Sequence, residues 1–106
     1  MASLFSVDVV SPEQSLWSGE ASFLVARTPE GEIGIMADHE PVMAVLGTGA
    51  VTVDGADGSR TTIAVNGGFL QVLDNVVTLL TDRATVVDGD GDAARAVAAG
   101  LGADEG

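Results

Sequence analysis

Apolar and polar residues alternate along this chain with a period close to two, the spacing of strands that bury one face and wet the other. Phe5, Val7 and Val9 share one parity, with Ser6 and Asp8 between them. Val51 and Val53 alternate with Thr52 and Asp54, Ile63 and Val65 with Thr62, and Leu70 and Val72 with Gln71. Turn chemistry stands between these runs at Ser11-Pro12-Glu13, Ser18-Gly19, Pro29-Glu30-Gly31, Gly47-Thr48-Gly49, Asp54 to Gly58, Asn66-Gly67-Gly68 and Asp74-Asn75. Each offers either the preset φ of Pro or the positive φ open to Gly and Asn. Short strands broken at intervals of roughly 8–12 residues predict an all-β fold. The expectation is an antiparallel β-sandwich of about eight to ten short strands over residues 1–87.

The pattern changes after Val87. Asp88-Gly89-Asp90-Gly91-Asp92 reads as an acidic linker and Ala93 to Ala99 as one short helix, with Asp92 as its N-cap and Gly100 and Gly102 as its stop. Two average helices and a loop need roughly 25–30 residues, so residues 88–106 are expected to form a linker and a short Ala-rich helical tail, or a disordered one.

Composition supports a folded body, with 46% hydrophobic residues and only 14 Gly and 3 Pro. Sixteen acidic residues face four basic ones, all Arg, for a net charge of −12. A surface that acidic repels the phosphate backbone and anionic lipid headgroups, which excludes nucleic acid and direct adsorption to a membrane. The N-terminus lacks the basic and apolar regions of a secretory signal, and no apolar run approaches the ~18 residues of a membrane span. A soluble, cytoplasmic protein without direct membrane insertion is the expectation.

Catalytic chemistry has little to draw on. The chain has one His, no Cys, no Lys and no Tyr, so His39 in Ala37-Asp38-His39-Glu40-Pro41 would have to anchor any triad from a segment whose adjacent side chains diverge. A surface or interface histidine is the better reading, and no residue is assigned as catalytic. A phosphate loop fails for want of its lysine. Asp88, Asp90 and Asp92 imitate the opening of a calcium loop, but Ala93 and Ala99 stand where its Gly and bidentate Glu belong, so no metal site and no cofactor are expected. Glu30 and Glu32 flank a loop tip, as solvated or protein-binding acids do, and Trp17 reads as a core or sheet-edge residue. These features favour a protein-binding sandwich. A small-ligand-binding sandwich with a concave apolar pocket is the alternative.

The motifs of the longest loop and its flanks carry a resemblance. Val9-Val10-Ser11-Pro12-Glu13, Trp17-Ser18-Gly19-Glu20, Glu30-Gly31-Glu32-Ile33-Gly34-Ile35 and His39-Glu40-Pro41 follow in order. After them come Leu46-x-x-Gly49, Asn66-Gly67-Gly68-Phe69-Leu70-x-Val72 and Asn75-Val76-Val77-Thr78-Leu79-Leu80-Thr81-Asp82. Together, over residues 4 to about 87, they resemble the epsilon subunit of bacterial F-type ATP synthases.

The resemblance implies a non-catalytic central-stalk subunit that links the gamma subunit to the membrane ring of c subunits and couples proton translocation to ATP synthesis. Alpha and beta subunits would be indirect partners, and the location would be the cytoplasmic face of the cell membrane, peripherally, through the complex. It implies that Glu30 and Glu32 form the tip that meets the c-ring, and that Ser11, His39 and the turn from Pro41 to Ala44 belong to the gamma-facing surface. Asp38 stands where the family often has Gly before the His. The segment Asp92-Ala93-Ala94-Arg95-Ala96 matches an ATP-binding motif of the family's C-terminal helical hairpin. With no further Arg or Lys after Arg95, weak or absent ATP binding and no hairpin-based inhibition are expected.

Overall fold

The computed structural model describes residues 3–103. Six strands are followed by one helix: β1 (Phe5–Val10), β2 (Ser15–Thr28), β3 (Gly31–Ile35), β4 (Val42–Gly55), β5 (Arg60–Leu73), β6 (Val76–Val87) and α1 (Gly91–Ala103). The strands run in the order β1-β6-β5-β4-β2-β3, and β1 also pairs with β2, so the sandwich closes into a barrel with β3 attached outside β2. The pairings are antiparallel except that β1 runs parallel to β6. A parallel pair needs a long connection, and here that connection is the rest of the barrel.

The core is the set of residues that the alternation singles out. Phe5, Val7 and Val9 of β1 pack with Leu24, Ile35, Val51, Val53, Ile63, Val65, Leu70, Val72, Val77 and Leu79, all essentially inaccessible to solvent. Full burial of each such side chain contributes about 1.5–3 kcal/mol, so this interior dominates the stability of the fold. Trp17 is half-buried against it.

Six strands replace the expected eight to ten because three of the glycine signals lie inside strands, at Gly19 of β2, Gly47 of β4 and Gly67-Gly68 of β5. Cutting at those points gives nine segments, so each expected break is a bend in a longer strand. At Gly47 and Gly67-Gly68 the inward parity also changes. Leu46 points into the core before Val51 and Val53 do, and Ile63 and Val65 do so before Leu70 and Val72. The neighbouring strand shifts at Asp82-Arg83, from Val77 and Leu79 to Ala84. Gly67 and Gly68 take φ of +83° and +129°, and a Cβ on Gly68 would lie 2.1 Å from the Leu80 carbonyl oxygen. Glycine permits both that conformation and that closeness, as at the bends of small barrels.

Helix α1 lies on the outer face beyond these bends. Ala94 and Ala98 bury against Ala64, with Ala50, Val87 and Leu101 around them, and Asn66 Nδ2 donates to the Ala98 carbonyl at 3.0 Å. This cover explains why Thr62 to Val65 are buried on both faces. The N-cap is Asp90, not Asp92: its Oδ1 accepts from Ala93 N–H at 3.0 Å. Where the alanines meet Ala64 decides which aspartate caps, and Asp92 lies within the first turn, paired with Arg95. Gly100 and Gly102 do not stop the helix, because Leu101 between them packs on the sheet and holds the last turn. Residues 104–106 of the expected tail lie outside the described residues.

Candidate interaction surface

On the near side of the bends the outer face of β4, β5 and β6 carries apolar side chains that nothing covers among the described residues. Register places Val45 opposite Phe69 and Phe69 opposite Leu80 in one row, Met43, Gln71 and Thr78 in the next, and Leu73 opposite Val76 in the last. Met43 is 68% exposed, Leu80 54%, Phe69 53% and Val45 51%. Single exposed apolar residues are ordinary, but contiguous patches of large ones mark contact surfaces. An open groove runs between Met43, Phe69, Gln71, Thr78 and Leu80. The interior is filled by core side chains, so this apolar concavity lies outside the barrel and not within it.

The rim of the face is acidic. Asp74 borders Leu73 and Val76, and Asp8 stands beside Thr78 in the β1–β6 ladder, accepting from the Ser18 hydroxyl at 2.7 Å. Asp82 lies against Gly67 at the bend. None of the residues lining the face is basic. An apolar centre ringed by carboxylates fits a partner with an apolar centre and a Lys or Arg rim.

Two of the expected contact residues flank this face. Ser11 neighbours Leu80 with Val10 and Pro12 at one edge, and Pro41 lines a depression with Met43 and Leu73 at the other. His39 lies two residues before Pro41, and its Nδ1 is 2.8 Å from the Glu40 carbonyl, to which an Nδ1–H donates. The expected turn from Pro41 to Ala44 is strand from Val42 onward, paired with β5. Ala44 is half-buried against the core, and its neighbours Met43 and Val45 carry the exposed surface there. Alternation within β4 dictates this division.

Between β3 and β4 the loop packs Ala37 against the core and is hydrogen-bonded across to a residue of the β5–β6 turn. Asp74 and Asn75 have φ of +52° and +62°, the signature of a type I′ hairpin turn. Asn75 Oδ1 accepts from Asp38 N–H at 2.6 Å, Asn75 Nδ2 donates to Asp38 Oδ1 at 3.1 Å, and the Asn75 carbonyl accepts from Ser6 N–H at 2.9 Å. Asp38 itself has φ of +66°, so it keeps the backbone shape that glycine adopts freely.

Glu30 and Glu32 are exposed at the tip of the β2–β3 hairpin. The Thr28 hydroxyl braces that tip, donating to the Gly31 carbonyl at 2.9 Å and accepting from Glu30 N–H at 3.2 Å. Arg27 stands opposite Glu32, with its stem against Gly49. Asp92 and Arg95 lie on α1, paired with each other, apart from both the tip and the apolar face. Among the described residues no group of acids, histidines or cysteines could hold a metal, and no helix is long and apolar enough to cross a membrane.

The exposed face was missed by sequence reasoning, although a signal existed. Phe69 and Leu73 occupy the parity that Gln71 marks as polar, and Val76 and Leu80 do the same beside Thr78. Apolar residues at both parities of adjacent strands indicate a sheet apolar on both faces.

A rigid barrel whose notable surface is one bare apolar face with bracing loops defines an interaction module, built to be held against other chains. Residues 4–87 match the family described as ATP synthase, Delta/Epsilon chain, beta-sandwich domain. The chain belongs to that family. It is 43% identical over 88 residues to an ATP synthase epsilon chain of Streptomyces avermitilis, covering 83% of this chain and 71% of that protein. To an ATP synthase epsilon chain of Rhodococcus jostii it is 46% identical over 101 residues, covering 93% and 83%. Among solved structures, the mitochondrial ATP synthase of Euglena gracilis, OSCP/F1/c-ring in rotational state 1, contains a chain that superposes with a TM-score of 0.71 at 28% identity, over 77% of this chain and 54% of that one.

Proposed function

We propose that this chain is a non-catalytic central-stalk subunit of an F-type ATP synthase that joins the gamma subunit to the c-ring. The observation that carries the reading is the bare apolar face of β4, β5 and β6, which no element of this chain covers among the described residues. Gamma seats on that face through Met43, Val45, Phe69 and Leu80, with Ser11, His39 and Pro41 at its edges. Basic residues of gamma meet the acidic rim. The hairpin tip with Glu30 and Glu32 meets the polar loops of the c-ring, where Arg or Lys partners form charge-assisted contacts. Alpha and beta are reached through gamma, and the complex holds the chain peripherally at the cytoplasmic face of the membrane.

In this arrangement the subunit makes and breaks no covalent bond. It fixes gamma to the ring so that rotation driven by proton flow reaches the catalytic head. Loss of one large apolar anchor at such an interface costs on the order of 2 kcal/mol, a weakening of roughly thirtyfold.

The test is reconstitution of the synthase with the Glu32→Lys, His39→Asp double variant. Reduced ATP-driven proton pumping at retained hydrolysis is expected, and unchanged coupling would sink the assignment of these sites. Purification of the native chain from membranes of its source cell is expected to bring gamma, alpha, beta and c subunits with it. Recovery of the chain alone would remove the stalk reading itself.

A further inference from the structure

At the β5–β6 turn, where the apolar face ends, lies an element that neither the barrel nor the contact residues explain, the node at Asn75. We infer that Asn75 is the positioning residue of the gamma-facing edge: its side-chain amide latches the loop from Met36 to Pro41 to the β5–β6 turn. This rests on the docking reading above and adds a residue to it that touches no partner.

The Asn75 amide is used on both of its ends. Its oxygen takes the Asp38 N–H at 2.6 Å and its nitrogen gives to the Asp38 carboxylate at 3.1 Å. A backbone amide and its own side chain are thereby held together by one partner 37 residues away in sequence. Asp38 needs this help. Its φ of +66° lies where non-glycine residues are uncommon, tolerated by Asp because a short polar side chain can bond locally. The third bond of the node, from Ser6 N–H to the Asn75 carbonyl at 2.9 Å, ties the turn to β1 and gives the latch a rigid base.

The loop carries two side chains that point at no core. Met36 is 62% exposed, and His39 bonds only to the neighbouring backbone. Pro41, at the loop's end, borders the apolar face directly. Ala37 packs against the core at the start of the segment. Without the latch, the stretch from Asp38 to Pro41 beyond it has little to choose among conformations, and ordering it on docking lowers affinity. With the latch, that edge is preorganised.

Asn75→Gly separates the latch from the turn, because Asp-Gly suits a type I′ hairpin at least as well as Asp-Asn. In this variant the Asp38 amide should exchange with solvent about tenfold faster or more, as expected for one or two net hydrogen bonds lost. Affinity for purified gamma should fall by about tenfold, with a thermal midpoint within about 2 °C of the native one. Asp38→Asn, which keeps the left-handed backbone and an acceptor for Asn75, should bind gamma with near-native affinity. Unchanged Asp38 exchange in Asn75→Gly would overturn the latch, and so would native-like gamma affinity in that variant despite faster exchange. A native chain that fails to bind gamma refutes the docking reading instead, and the exchange rates of the free domain then judge the latch alone.

Discussion

Gly68→Ala should be among the most damaging single-methyl additions available to this barrel. The added Cβ would lie 2.1 Å from the Leu80 carbonyl oxygen and 2.8 Å from Thr81 Cα. Both neighbours are backbone, so no side chain can swing aside. A carbon–oxygen contact relaxes at about 3.3 Å, which means β6 must withdraw from β5 by more than about 1 Å and stretch the ladder where Gly68 pairs with Thr81. Two weakened ladder bonds cost about 2 kcal/mol net, and holding Ala at the φ of +129° seen there adds about 1–3 kcal/mol. The total, about 3–5 kcal/mol, is a large part of the 5–15 kcal/mol or so that a domain of this kind has.

Gly31→Ala isolates the two contributions, because Gly31 has a similar φ of +134° but no atom within 4 Å of its Cβ position. It should lose only the strain. Urea unfolding followed by the fluorescence of Trp17 measures both variants. Gly68→Ala is expected to be less stable than Gly31→Ala by about 2 kcal/mol. If the two agree within about 0.5 kcal/mol, the limit of a neutral change, the close approach of β5 to β6 has no energetic weight and the reasoning fails.

Other expectations follow from the surface and the helix. Phe69→Ser leaves stability within about 0.5 kcal/mol of native but weakens binding to gamma tenfold or more, measured by titration with purified gamma. Asn66→Ala removes the side-chain bond to the Ala98 carbonyl, so the amides of α1 should exchange several-fold faster in hydrogen-exchange measurements while those of β1 to β6 keep their native rates. The Asp54 carboxyl is held below its ordinary value chiefly by its hydrogen bond from Arg60, and that of Asp57 by the Ser59 hydroxyl. A depressed carboxyl stabilises the fold fully above its unfolded value, about pH 4, and loses that contribution as pH falls through the lower folded value. Arg60→Ala should therefore flatten the acid limb of the stability–pH curve by lowering stability above about pH 4 while leaving the acid end unchanged, and the loss should be small because the Arg60 side chain is largely exposed.

The barrel core was legible because a one-sided strand repeats every two residues, and Val7, Val9, Val51, Val53, Ile63, Val65, Leu70 and Val72 all proved to be buried. Glycine was the ambiguous letter. At Gly31 and Gly58 it serves a turn, whereas at Gly19, Gly47 and Gly67-Gly68 it lies within a strand, and local sequence does not tell the two uses apart. Asp92 reads as the cap in sequence, but Asp90 caps the helix, because the packing of Ala94 and Ala98 on Ala64 fixes where its first turn begins. Ser11, Pro41, Glu30 and Glu32 came from family motifs, and each lies at the surface or its edge. The apolar face went unread because scoring one parity ignores the other. The Asn75 latch joins residues far apart in sequence, and only the fold brings them within bonding distance.

Closure of the barrel by β1 has a mechanical meaning. This strand is flanked on one side by β6 and on the other by β2, so the ring of ladders from β1 through β6, β5, β4 and β2 has no free end at which unzipping can begin. A twisting load that enters through the apolar face and leaves through the β2–β3 tip crosses the ladders sideways. It then strains many hydrogen bonds in parallel instead of one after another. An open sheet of the same strands would shear at its weakest edge under such a load, whereas a hoop shares it.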